Sequence, residues 1–318
     1  MIGAYLRSLS QRNLNFRMQA GADFTSRIVE RPGLWMSAAD LDSLCGDLRT
    51  IAAKTLTAGS LTYGVFSSDR ERLKDTVITV VYDRRTGKPV AFNALALMEL
   101  KLNGKRTRVL HLGLVMVDPE VRSQGLSWVL YGLTCFFLFL RNQFRPLWIS
   151  NVTQVPAVAG MVSEIFSDVY PSPKLGARRS FNHLLLARQI SQTQRHVFGV
   201  GPEAGFDESE FVFTNAYTGG SDDLKKTFDA APKHRDAAYN LFCAEKLDYA
   251  RGDDFLQLGK IDLKAAKIFL VKSVPRGSLA ALAISSALIL LQRIALPVLY
   301  WVNPSNEWGI LRPWKERR

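Results

Sequence analysis

The sequence predicts a mixed α/β fold: a largely antiparallel sheet flanked by helices, with an apolar extension towards the C-terminal end. Three observations carry that expectation. Residues 76–117 alternate β-branched runs with turn signals, residues 118–140 pass from a Gly-containing loop into a helix, and Leu279–Leu291 is uncharged and nearly all apolar. Strand-type runs bounded by turn residues, followed by helix-length apolar runs, are the pattern of a layered α/β domain.

In chain order, Thr76–Tyr82 (TVITVVY) reads as a short strand and Asp83–Pro89 (DRRTGKP) as a turn. Val90–Leu102 is the second strand. Asn103-Gly104 then supplies the positive φ angles of a tight hairpin, and Arg106–Val117 returns as the third strand. Trp128–Leu140 is long enough for a helix, Leu147–Asn151 is a short strand, and Ala157–Phe166 is a helix with Pro156 at its start. Alternation along the third strand puts His111, Gly113, Val115 and Val117 on one face.

The loop Val117-Asp118-Pro119-Glu120-Val121-Arg122-Ser123-Gln124-Gly125-Leu126-Ser127 is the most informative segment. A helix opening at such a loop directs unpaired N–H groups and its positive dipole end at one point, which suits a phosphate. Gly125 lets the backbone approach an anion, and small Ser127 lets the first helical turn follow.

This segment resembles the acyl-CoA-binding motif of the GNAT superfamily of N-acyltransferases, Arg/Gln-x-x-Gly-x-Gly/Ala after a strand ending in Val-x-Pro. Ser127 departs mildly from the usual Gly or Ala. The resemblance covers about residues 38–172 and implies a GNAT-like sheet, with direct acyl transfer to an amine in a ternary complex. It assigns cofactor contacts to Val115, Met116, Val117, Arg122, Ser123, Gln124, Gly125, Leu126 and Ser127. Asn151 either bonds the pantetheine arm or merely ends its strand. The donor would be acyl-CoA or an acyl-carrier protein, with no metal.

Transfer from a thioester to an amine needs a proton acceptor, an oxyanion donor and a proton for the thiolate. His111, whose imidazole normally titrates near neutral pH, is the candidate base, and a strand histidine bonded to a backbone carbonyl is the alternative. Glu99 is the reserve base, although it could equally face solvent beside Lys101. Tyr170, where the superfamily often carries a thiolate-protonating tyrosine, is the candidate acid; the alternative is packing under the Tyr-Pro-Ser-Pro turn.

The whole chain sets further bounds. Its 318 residues divide into a basic leader (1–37), the core (38–200), a stretch that is either more core or a second lobe (201–272), and the apolar segment (273–318). Cys45, Cys135 and Cys243 make no disulfide framework, and no Cys/His cluster has metal-ligand spacing. The net charge of +12 favours an anionic partner. The leader has Arg7, Arg12 and Arg17 and no acid before Asp23, so it reads as an amphipathic membrane-surface segment, a transit peptide or an ordinary surface helix. Gly199–Gly205 mimics a dinucleotide fingerprint with the wrong spacing and context, and reads as a flexible connector.

Lys272 and Arg276 precede the apolar segment, Arg293 interrupts it, and Pro297 would kink or end its helix. Trp301, Trp308, Trp314, Lys315, Arg317 and Arg318 follow it, a flank suited to a membrane interface. It reads as a monotopic or re-entrant element, a buried helix or a span. The apolar 126–140 helix is either covered by the C-terminal half or lines a groove for a long acyl chain. Together these features predict an N-acyltransferase moving a long-chain acyl group to a lipid or amphiphilic amine at the cytoplasmic face of an anionic membrane. Lipid-modifying members such as bacterial ceramide synthases and N-acyl amino acid synthases fit that description, though no diagnostic motif of either is present. The rivals are a soluble acetyltransferase for a protein or small amine, and a non-catalytic membrane- or nucleic-acid-binding protein on a degenerate fold. Nucleic acid is disfavoured because the aromatics sit in apolar runs.

Overall fold

The computed structural model describes residues 13–55, 64–122, 124–218 and 224–302. Eleven strands form one sheet in the order β1-β2-β3-β4-β5-β7-β11-β10-β9, with β6 on β4 and β8 on β11. The strands are β1 (Asn15–Ala20), β2 (Phe24–Glu30), β3 (Thr76–Asp83), β4 (Pro89–Leu102), β5 (Lys105–Leu112), β6 (Val115–Val117), β7 (Leu147–Thr153), β8 (Ser167–Tyr170), β9 (Gly205–Asp207), β10 (Val212–Thr214) and β11 (Asp254–Ile261). The sheet is antiparallel except where β5 runs parallel to β7. The mixed, largely antiparallel sheet flanked by helices is thus the observed architecture.

Two helices cover the N-terminal half on opposite faces. α1 (Ala38–Thr55) buries Leu41, Leu44, Leu48 and Ile51 against Ile78, Val80 and Phe92. On the other face, a π-helix (Trp128–Leu133) runs directly into α2 (Thr134–Arg141) over Val77, Leu95 and Leu110. The π-helix leaves carbonyls without regular helical partners, and the buried Asn93 side chain donates to one of them, Leu130 O, while its own Oδ1 accepts from Thr79 N at 3.2 Å. α3 (Pro156–Ile165), α4 (Phe181–Thr193) and α5 (Ala237–Lys246) serve the C-terminal half.

Within residues 201–272, β9, β10 and β11 belong to the same sheet as the earlier strands. The leader is corrected in part. Its first twelve residues, with Arg7 and Arg12, lie outside the described residues, but residues 15–30 are the first hairpin of the sheet. Phe16, Met18 and Ala20 are buried while Arg17 and Gln19 are exposed, so the mixture of basic and apolar residues is a strand alternation with period two.

The C-terminal half does cover the apolar helix. α6 (Leu263–Ile268) continues as a π-helix (Phe269–Ser273), and α7 (Leu279–Val302) packs on α2 through Leu282 and Ile289. Every residue of α2 from Thr134 to Leu140 is buried. Phe269 wedges between Trp128 and Phe136, over a notch that exists because residue 132 is glycine: a Cβ there would lie 2.2 Å from the Phe269 ring. α7 runs on past Pro297, and Trp308, Trp314, Lys315, Arg317 and Arg318 lie outside the described residues. Among the described residues no single helix is long and apolar enough to cross a membrane. Leu263–Ser273 and Arg276–Leu291, bent 118° to one another, reach that length and composition only as a pair.

Candidate functional site

The site forms where the third sequence strand breaks into β5 and β6. Against β4, His111 pairs with Ala96 while Val115 pairs with Asn93, so four steps on one strand match three on the other. This is a one-residue bulge. Gly113 makes it possible, because a Cβ there would lie 2.3 Å from the Ala94 carbonyl oxygen. The extra residue also inverts the side-chain parity. Leu110, Leu112, Val115 and Val117 now face the α2 side, while Val109, Leu114 and Met116 face the other. The expected common face of His111, Gly113, Val115 and Val117 is therefore corrected.

The bulge also ends pairing with β7. The last matched pair is Leu112 with Asn151, and β6 pairs only with β4. The two parallel strands diverge there into a gap. Asp118 N donates to Val90 O and Ala94 N to Leu114 O, so by antiparallel alternation Leu114, Met116 and Asp118 turn their backbone groups to β4. Val115 and Val117 consequently turn theirs into the gap. Of the three expected backbone contacts Val115 and Val117 are available. Met116 is not, and its sulfur accepts from Thr55 Oγ1 at 3.4 Å.

Beyond β6 the chain makes a helical turn, Pro119–Val121, capped by Asp118, whose carboxylate accepts from Glu120 N (3.1 Å) and Lys54 Nζ (2.5 Å). Burial works to raise the Asp118 pKa, but the Lys54 ammonium and the Glu120 N–H outweigh it and hold the carboxyl below the usual range. Sequence reading missed this clamp, since Lys54 is 64 residues away. Arg122, Gln124, Gly125 and Ser127 are exposed, Leu126 is buried, and Ser123 lies outside the described residues. Gly125 adopts φ +72°, with nothing within 4 Å of where a Cβ would stand, so the loop needs glycine for its backbone and leaves open space beside it. Ser127 caps the π-helix without a side-chain hydrogen bond.

On the sheet face that carries α1 and α4, a cavity of about 960 Å³ adjoins the bulge. Ala94–Leu97, His111, Gly113 and Leu114 form its floor, and residues 64–65, 71–72 and 74–76 form one wall. The opposite wall is residues 192–197 and 199–202, so the segment expected to be a flexible connector is a packed structural wall. Val200 is buried, and the Arg195 guanidinium donates to Gly201 O, Pro202 O and Ala204 O. No sequence motif announces this wall; it arises because one arginine gathers three carbonyls.

His111 is buried at the cavity floor. Its Nδ1 lies 3.0 Å from Ser150 Oγ across the β5–β7 pairing, its ring packs tilted against Phe198 at 5.1 Å, and its Nε2 takes no hydrogen bond among the described residues. Burial lowers its pKa to about 4, well below the near-neutral titration expected of it.

The remaining candidates are elsewhere. Glu99 points outward, half-exposed, with Arg106 Nη2 at 3.5 Å and Arg31 Nη2 at 3.9 Å, and does not line the cavity. The Tyr170 hydroxyl donates to Ser209 O at 3.2 Å and its ring packs on Phe211, while burial raises its pKa. It supports a turn and faces neither gap nor cavity. Asn151 neither ends its strand nor faces outward. It is buried and donates to Gln257 Oε1 at 3.2 Å. Among the described residues no cluster of His, Cys, Asp and Glu could hold a metal ion.

No protein-family model matches the sequence, and no curated protein matches it. Several solved structures align with part of the chain. Glucosamine-6-phosphate N-acetyltransferase from Arabidopsis thaliana is 21% identical over 34% of this chain and 69% of its own, with a TM-score of 0.23. Ribosomal-protein-S5-alanine acetyltransferase from Vibrio fischeri is 13% identical over 47% and 81%, with a TM-score of 0.32. A mutant spermidine N-acetyltransferase from Vibrio cholerae is 12% identical over 45% and 77%, with a TM-score of 0.27.

Proposed function

We propose that the chain is an acyl-CoA-dependent N-acyltransferase of the GNAT type. One observation carries the reading: a glycine-enforced bulge parts β6 from β7 between an open Gly loop on one side and a histidine-floored cavity on the other. The Gly loop and the first turn of its helix receive the CoA pyrophosphate. The pantetheine lies in the gap as a surrogate strand on Val115 and Val117, and a backbone N–H there donates to the thioester carbonyl as it becomes an oxyanion.

The acceptor amine enters the cavity and attacks the thioester carbon. The C–N bond forms, the C–S bond breaks, and the CoA thiolate leaves. With Nδ1–H donated to Ser150 Oγ, the His111 Nε2 presents its lone pair to the amine. An imidazole with a pKa of about 4 is neutral throughout the physiological range. It is also a weak base, so its task is to orient the amine and take the proton once bond formation has acidified the nitrogen.

The acceptor we favour is an amphiphilic amine. The cavity lies at the upper end of the range for small-molecule sites. Its lining places apolar Val65, Leu114 and Val200 beside Glu71, Arg72, Lys74 and Asp75, with Lys74 Nζ on Glu71 Oε2 at 2.5 Å, a mixture that suits an apolar body carrying a charged polar end.

The test combines binding and products. The wild-type chain should bind CoA in calorimetry and release thiol from acyl-CoAs in the presence of an amphiphilic amine panel. Gly125→Glu places a carboxylate at the phosphate position and should abolish CoA binding, whereas Gly125→Ala should cost only about 1–2 kcal/mol for its left-handed backbone. Unchanged CoA affinity in a folded Gly125→Glu variant would sink the assignment. N-acylated lipids present equally in cells with and without the protein would sink the lipid acceptor.

A further inference from the structure

We infer that α6, the π-helix after it and α7 form a docking surface for an anionic lipid bilayer. α7 is sided in an unusual sense. Leu282, Ser285 and Ile289 pack inward, while Leu279, Ile284, Leu291, Val298, Trp301 and Val302 are exposed, with Ile284 and Leu291 about 60% accessible. The outer face of this helix is therefore as apolar as its inner one. A helix covering a core normally turns a polar side to water. Val271 and Leu263, on the two helical elements that precede α7, are also exposed, at 72% and 67%.

Charge selects the occupant. From Leu263 to Val302 there is no Asp or Glu, while Lys264, Lys267, Lys272, Arg276 and Arg293 are all present. The loop after β8, the strand paired with β11, adds to this end. Leu175 is fully exposed beside Lys174, and partial burial, joined by the charges of Lys264 and Lys272, lowers the Lys174 pKa against the pull of Glu164. Apolar side chains flanked by cations, in a segment with no acids of its own, suit a headgroup layer, where the chains insert and the ammoniums meet lipid phosphates. A second copy of the same face would instead bring like charges together. Docking of this kind does not depend on the transferase chemistry.

The experiment is flotation of the full chain with vesicles of phosphatidylcholine alone and of an equimolar mixture with phosphatidylglycerol. The wild type should float with the anionic vesicles at least about tenfold more than with the neutral ones, and salt should weaken that preference. Lys264→Glu with Lys272→Glu should remove the preference, and Ile284→Asp with Leu291→Asp should abolish flotation on both. These side chains are exposed, so unchanged thermal unfolding and CoA binding would show that the fold is intact. Equal flotation of wild type and both variants would overturn the inference. So would a wild type that ignores anionic vesicles while sedimenting as a dimer that the aspartates dissociate, since a second copy would then cover the face. CoA binding in the same preparations separates failure here from failure of the transferase reading.

Discussion

Gly113→Ala tests the site at its origin. The added methyl would stand 2.3 Å from the Ala94 carbonyl oxygen, where ordinary contact begins at 3.4 Å, so the two backbones must part by about 1.1 Å. No side chain can yield in their place, because the obstacle is main chain. Overpacking of this sort costs about 1–3 kcal/mol of stability. A displacement near 1 Å in a group that positions reacting atoms costs about 10²-fold in turnover. We therefore expect Gly113→Ala to fold, to retain CoA binding through the distant Gly loop, and to lose about two orders of magnitude in kcat. Gly46→Ala is the control: it lies inside α1 with nothing nearer than Arg49 Nη2 at 3.9 Å, and should gain roughly 0.5–1 kcal/mol by helix propensity alone. Thiol release from acyl-CoA measures turnover, and calorimetry and thermal unfolding supply the other two readouts. Full turnover in a folded Gly113→Ala variant would refute the role of the bulge.

Two further outcomes follow from packing and titration. Phe269→Ala should cost about 3–5 kcal/mol by emptying the notch over Gly132, and Gly132→Ala, harmful alone, should become nearly neutral in the Phe269→Ala background; additive losses in that double-mutant cycle would show that the two positions do not meet. His111 is held neutral by burial, its pKa falling from 6.5 to about 4, so the unfolded chain binds more protons between those values and stability should drop as pH falls through that window, by about 3 kcal/mol in all. Asp254 opposes it: burial raises its pKa to about 7 despite the Tyr217 hydroxyl, so its contribution is lost as pH rises from about 4 to 7. Denaturant titrations across pH should show the two slopes separately in Asp254→Asn and His111→Gln, and an unaltered pH profile in either variant would refute that burial effect.

The legible parts of this chain were those fixed by local rules. Asn103-Gly104 announces its hairpin and takes positive φ at both residues, and the Val-Asp-Pro to Gly125 loop lies between strand and helix as read. The β1–β2 hairpin was obscured because five alternating residues in a basic context fit a surface helix equally well. The bulge was silent for another reason: Gly113 sits in an apolar run, and the need for glycine comes from Ala94 on a neighbouring strand. Glu99, Tyr170 and Asn151 fell in plausible positions along the chain, yet their partners Arg106, Ser209 and Gln257 come from elsewhere in the fold and direct them away from the site. Lys54, Ser150 and Arg195 serve the site from a distance in sequence, so no spacing pattern could reveal them.

The inverted parity after the bulge has a consequence for insertions and deletions. A strand encodes inside and outside by odd and even positions, and the residue inserted at 112–114 changes the reading frame of that code halfway along. Upstream, even-numbered residues Leu110 and Leu112 lie under α2; downstream, odd-numbered Val115 and Val117 do. Deleting Gly113 would remove the bulge and bring the two strands into three-for-three register, with Leu112, Leu114, Val115, Met116 and Val117 all on their present faces. Deleting a second residue beside it would turn the valines of β6 towards α1 and its methionine towards α2, or pass the shift into the Gly loop and misplace the helix start. The single deletion should therefore keep the core and erase the break between β5 and β6, whereas the double deletion exchanges the two faces.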